Sequence, residues 1–142
     1  MIDTDKDNLA ELAARFRAAI IKADPATLPL VTLQNFPRGA CGDAILLLAK
    51  YLQENKCGDF YYVLGEREDH SHAWLQRDSL IIDITADQFE DQKTPVIVTE
   101  DHSWHSLFNG EIQHIADFCL YDTYTVSEMI RTYSLITEHI KI

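Results

Sequence analysis

Cys41, His72 and Asp83 carry the thiol, imidazole and carboxylate that a nucleophilic relay needs, and the setting of each suits its part. Cys41 lies in Gly39-Ala40-Cys41-Gly42-Asp43, which opens an apolar run from Ala44 to Leu52. A cysteine at a helix start faces free backbone N–H groups and the positive end of the helix dipole, and both favour an anion. The thiolate is the nucleophilic form. A cysteine in that place can equally be a small packing residue, so the argument turns on what stands downstream. Asp83 interrupts Leu80-Ile81-Ile82-Asp83-Ile84, a strand pattern that excludes acids. Even a neutral polar group left unpaired in such surroundings costs on the order of 2–7 kcal/mol. Asp83 therefore needs a partner, and His72, in His72-Ala73-Trp74, is the nearest credible one. Together the three make chemical sense: the thiolate attacks a carbonyl carbon, the imidazole takes and returns the proton, and the carboxylate fixes the imidazole tautomer. The resulting oxyanion would be met by the backbone N–H of Cys41, with the side chains of Gln34 and Asn35 as further candidates.

Holding these groups together requires one helix and two paired strands. Leu9, Leu12, Ala13, Phe16, Ile20 and Ala23 recur at helical spacing and predict a first packing helix that stops at Pro25. Three prolines over residues 25–38 read as an extended linker that delivers the chain to Cys41. The helix over residues 41–53 is apolar nearly all round, hence buried and central, and Cys57 is an ordinary residue at its end. Strands are expected over residues 60–64, closed by Gly65, over 70–76 and over 80–85, as an antiparallel meander; a fourth, over 94–99, begins at Pro95 and suits an edge. Residues 101–122, with His102, Trp104, His105 and His114, show no assignable pattern. Thr125-Val126-Ser127-Glu128 has capping-box spacing, and Val126, Met129, Ile130, Tyr133, Ile136 and Ile140 form one face of a terminal helix. Whether His72 and Asp83 meet depends on the turn between their strands. Two loop residues at Asp78-Ser79, or four, put Asp83 opposite Trp74 and diagonal to His72, at about 7–8 Å between backbones; three put the two on opposite faces.

The chain's 142 residues, 46% hydrophobic and 25% charged, bound it to one domain spanning 1–142. A net charge of −11 without any Lys/Arg cluster argues against nucleic acid. No window reaches the ~18 apolar residues of a membrane span, and the acidic start is unlike a basic signal peptide, so a cytoplasmic protein away from membranes is expected. Cys41, Cys57 and Cys119 are too few and too widely spaced for a disulfide framework or a cysteine zinc site. His70 and His72, with Asp83 and His102 or His105, offer a nitrogen/oxygen set of the kind zinc accepts, but the spacing matches no zinc motif, and the expectation is of no metal and no cofactor. Trp104 is a cleft-lining candidate whose simpler role is to plug the core beside a solvated histidine. Trp74, the other cleft-lining candidate, is expected to pack over the acid–base pair.

The order Gly39-Ala40-Cys41-Gly42-Asp43, then His72-Ala73-Trp74, then Asp83-Ile84-Thr85 resembles the core of the transglutaminase-like, papain-like cysteine enzymes. In that superfamily a cysteine opens the central helix, a histidine follows on a strand, and an aspartate of an Asp-x-Thr motif lies on the next. The resemblance covers residues 38–85, about a third of the chain, and Ile84 stands where proline is often found. It implies Cys41 as nucleophile, His72 as general base and acid, and Asp83 as the orienting residue. It implies a protein, peptide or small-amide substrate and a thioester intermediate resolved by water or by an amine. Calcium dependence, a property of the large transglutaminases, does not carry over to a minimal domain. A non-catalytic binding module on the same fold is the competing class, and the presence of all three residues speaks against it. The expected fold is α+β: the Cys41 helix packed on an antiparallel sheet of about four strands, with the first and last helices flanking it. Ala73, Leu75, Leu80, Ile82 and Ile84 are apolar opposite the His72 face, so both sheet faces need cover, and the C-terminal helix is expected to supply the second.

Overall fold

The computed structural model describes residues 5–140; residues 1–4, most of the acidic start, lie outside the described residues. Apolar periodicity builds a helical layer. Helix α1 (Lys6–Lys22) begins where the Asp5 carboxylate accepts the Asp7 N–H at 2.9 Å, and it buries Leu9, Leu12, Ala13, Phe16 and Ile20. Helix α2 (Cys41–Glu54) buries every residue from Ala44 to Ala49, with Tyr51 and Leu52. At about 1.5–3 kcal/mol for each large aliphatic side chain taken out of water, this places α2 at the centre of the core. The Phe16 ring lies 5.3 Å from that of Tyr51 and 6.1 Å from that of Tyr133, joining α1 to α2 and to the C-terminal helix α3 (Thr123–Thr137). Helix α3 starts at Thr123 because Asp122, rather than Thr125, is its cap: the Asp122 carboxylate accepts both the N–H and the hydroxyl of Thr125 at 2.9 Å. Met129, Tyr133 and Ile136 turn inward, whereas Ile130, expected on that face, is exposed. The proline-rich linker is more compact than expected. Short 3-10 turns at Pro25–Thr27 and Val31–Leu33 bury Leu28 and Leu33.

The sheet has five antiparallel strands rather than about four: β1 (Tyr61–Arg67), β2 (His70–Arg77), β3 (Leu80–Asp83), β4 (Ile97–Thr99) and β5 (Glu111–Ile115), in the order β4-β3-β2-β1-β5. The meander over β1, β2 and β3 is as expected. The added strand β5 comes from the segment without a pattern and pairs back onto β1. Strand β1 does not stop at Gly65. It runs through to Arg67, and Gly65 sits opposite His72. The β2–β3 turn is the two-residue Asp78-Ser79 loop: Arg77 pairs with Leu80, Gln76 with Ile81 and Leu75 with Ile82. Continued by one step, that register sets Asp83 beside Trp74 and diagonal to His72.

All three helices belong to one layer. Residues of α1, α2 and α3 share a single core with Ala73, Leu75, Ile82 and Ile84 of the sheet. Covering of the second face by the C-terminal helix is thus corrected. That face is lined by Val63, Trp74 and Ile81, and its cover is the β3–β5 connection, which contributes Phe89, Trp104 and Phe108. The physical reason lies in that connection's own aromatic residues, which need burial as much as the sheet face does. Arg67 pins this cover. Its guanidinium holds the Asp91 carboxylate through two bonds of 2.7 and 3.1 Å and lies 4.6 Å from the centre of the Phe108 ring.

Candidate active site

Cys41 is the first residue of α2, half-buried, behind Gly39 in the left-handed region at φ +68°. The preceding Ala40 offers no side-chain cap, and the first i to i+4 bond of the helix is Ala44 N–H to Ala40 C=O at 2.8 Å. The amides of Cys41 and Gly42 therefore point out of the helix start without an intrahelical partner.

His72 and Asp83 are fully buried on the sheet face away from the body of α2. His72 Nε2 lies 2.7 Å from Asp83 Oδ2, so the partner demanded by an acid in an apolar strand is the one expected. A second imidazole reaches the same oxygen: His105 Nε2 also lies 2.7 Å from Asp83 Oδ2. The other carboxylate oxygen accepts the Thr85 N–H at 3.0 Å, which gives the Asp-x-Thr sequence a structural meaning. A carboxylate only accepts, so both Nε2 atoms carry hydrogen and the free ring nitrogen of His72 is Nδ1. Nδ1 is buried and has no hydrogen-bond partner among the described residues.

The charges follow from these contacts. Burial, the largest single influence on His72, pulls its pKa down. The charge and hydrogen bond of Asp83, with smaller contributions from Cys41, outweigh burial and push the imidazole up to about 9. Cys41 thus stands close enough to act on the ring through both its thiol and its charge, although no group among the described residues meets Nδ1 at full hydrogen-bond geometry. For Asp83 burial again acts first, raising the pKa, and the two histidines overcome it and hold the carboxyl well below its usual range.

The structure brings Cys41, His72 and Asp83 together and adds His105, read from sequence as solvated and found buried. His105 heads the 3-10 turn His105–Phe108, which lies against the sheet because Gly65 has no side chain: a Cβ there would stand 2.5 Å from the Phe108 carbonyl oxygen. A buried acid asks for partners, and the sequence signal for a second histidine was only the local His102-Ser103-Trp104-His105 cluster. Trp74 and Trp104 both pack on the site, each with its ring 5.8 Å from His72, Trp74 buried and Trp104 half-buried. Gln34 and Asn35 are not brought in. Both side chains are exposed and make no contact with Cys41 among the described hydrogen bonds. In their place stands Tyr62 of β1: a Cβ built on Gly42 would lie 2.6 Å from its hydroxyl. Burial first, then the charges of Cys41, Tyr121 and Asp43, push the Tyr62 phenol up to about 12. An open cleft of about 660 Å³ lies beside the site, bordered by Arg38, His70 and Phe89, and Phe89 packs edge-on to His72 at 5.1 Å.

His72, Asp83 and His105 also place one ligating atom each within 4.8 Å of one another, a set a transition metal could accept. The geometry fits hydrogen bonding better. Both nitrogens stand 2.7 Å from one oxygen, whereas ligand atoms around a tetrahedral zinc with ~2.0–2.1 Å bonds keep about 3.3 Å apart. His70 and His102 stand outside the set: His70 is exposed, and His102 Nε2 meets the Ser79 carbonyl at 2.6 Å. Among the described residues no helix is long and apolar enough to cross a membrane. No protein-family model matches the chain, and neither a curated protein nor a solved structure matches it.

Proposed function

We propose that the chain is a cysteine-dependent enzyme that cleaves an amide or peptide bond through a thioester on Cys41. The observation that carries this reading is the unpartnered Nδ1 of a buried His72, whose opposite nitrogen is locked onto Asp83 and whose charge is coupled to Cys41. A buried ring nitrogen without a partner is costly unless it has a task. Here the task is proton transfer at the thiol.

The Cys41 thiolate adds to the carbonyl carbon, and the C=O π electrons move onto oxygen. The tetrahedral intermediate collapses as the C–N bond breaks and the His72 imidazolium delivers its Nδ1 proton to the leaving nitrogen. Water then adds to the thioester, giving its proton back to Nδ1, and the C–S bond breaks to release the acid and the thiolate. Throughout, Nε2–H stays on Asp83, which keeps the ring in one tautomer and orientation. Trp74, Trp104, Phe89 and Phe108 keep water away from the acid–base pair, where electrostatic coupling is strongest.

The test is alkylation by iodoacetamide, followed by mass analysis at each cysteine. Cys119 is exposed and Cys57 buried. Access alone would therefore make Cys119 the fastest. The expected result is that half-buried Cys41 reacts about 10-fold or more faster than Cys119, in keeping with an activated thiolate, and that His72→Ala removes the advantage. Labelling of Cys41 no faster than Cys119 defeats the reading.

A further inference from the structure

We infer that the hydroxyl of Tyr62 is a catalytic oxyanion donor, acting with the backbone N–H of Cys41 on the tetrahedral intermediate. The inference rests on the reading of Cys41 as nucleophile. Three observations carry it. The side chain at position 42 is hydrogen, and it has to be: a Cβ there would stand 2.6 Å from Tyr62 Oη, so the phenol occupies the space over the first turn of α2, next to the nucleophile's residue. Among the described residues that hydroxyl has no hydrogen-bond partner, which leaves its O–H to spend on a bound group. The ring is also held in place. It stacks on His114 at 5.0 Å, and His114 Nε2 meets the Tyr121 hydroxyl at 3.2 Å, so β1, β5 and the segment before α3 together fix where Oη points. A fixed neutral donor at a helix start, beside free amides, is the arrangement that stabilises developing negative charge on oxygen. Its phenol keeps its proton at neutral pH, as burial beside Cys41 and Asp43 dictates.

Two reagents separate this role from any effect on the thiol. Iodoacetamide alkylates the thiolate by displacing iodide from carbon, with no oxyanion. p-Nitrophenyl acetate acylates it through one: the thiolate adds to the ester carbonyl, the oxygen takes up the charge, and the C–O bond breaks to expel p-nitrophenolate and leave an acetyl thioester. Tyr62→Phe keeps the ring stack and removes the donor. It should slow acetylation of Cys41 by about 100-fold or more while alkylation stays within about twofold of the parent protein. Gly42→Ala, which favours the helix and displaces the phenol, should give the same selective loss. Equal rates of acetylation in Tyr62→Phe and the parent overturn the inference, and so does an equal slowing of both reactions, which would mean that Tyr62 acts on the thiol. If Cys41 of the parent protein shows no selective reactivity toward either reagent, the underlying reading fails, and that outcome is distinct from the other two.

Discussion

Asp83 accepts from two imidazoles and a backbone amide, so its carboxylate has no freedom to rotate and no lone pair directed at solvent. Removing one of its partners from a buried charge cluster is expensive, about 3–5 kcal/mol when the remaining charge is left uncompensated. Asp83→Asn should lose stability of that order in chemical denaturation near pH 5–6. The difference should narrow with rising pH: an imidazole held above its ordinary 6.5 contributes fully below that value and loses its contribution as pH climbs through about 9. A stability gap that stays constant from pH 6 to 10 would contradict the assignment of the pair. At His105 the side chain's part is to donate one N–H to Asp83 from a buried position. His105→Phe should therefore cost about 1–3 kcal/mol and, by removing a donor that stabilises negative charge in the site, raise the midpoint of the pH profile of Cys41 alkylation. His105→Gln, which can still donate, should recover part of both. An unchanged profile in His105→Phe would make the residue mere filling. The pairing of His72 with Asp83 was legible in the sequence because an acid inside an apolar strand advertises its need. His105 was not, since a histidine between a tryptophan and a serine carries no periodicity that says which way it faces.

β1, β2 and β3 announced themselves, to within a few residues, as aromatic, β-branched and aliphatic runs between polar turns, β2 and β3 being buried on both faces. β5 escaped for the opposite reason. All five of its residues are exposed, so nothing in their order marks a buried side, and its existence depends on pairing with β1, which lies far away in sequence. The helix caps show the same limit: Thr125 has the right spacing downstream, but Asp122, three residues earlier, has the stronger acceptor. Gly65 was read as a strand end and is a strand interior, kept side-chain-free so that the His105–Phe108 turn can lie against the sheet. At this scale the prediction is that Gly65→Ala forces that turn outward, destabilising the protein by about 1–3 kcal/mol and slowing Cys41 alkylation, because His105 moves with the turn. Thermal melts and labelling rates measure both. A variant with full stability and full reactivity would separate the turn from the site.

Viewed as a whole, the protein divides its chemistry between two layers. The proposed nucleophile, Cys41, packs with the helices, and His72 and Asp83, the proposed acid–base pair, lie on strands under the aromatic cover on the far side of the sheet. The sequence pointed to both faces of the sheet being covered, but it could not say by what, because Phe89, Trp104 and Phe108 lie in segments with irregular spacing. This cover has an optical consequence. The chain holds only two tryptophans, and both rings lie 5.8 Å from that of His72. Protonated imidazole quenches indole emission at contact range, so nearly all ultraviolet fluorescence of this protein originates within reach of the His72 ring, with the His105 ring 4.8 and 4.9 Å from the same two indoles. Emission should brighten as pH rises through about 9, and in Asp83→Asn the step should move to lower pH. The molecule carries its own unlabelled reporter of the proton that its proposed reaction transfers.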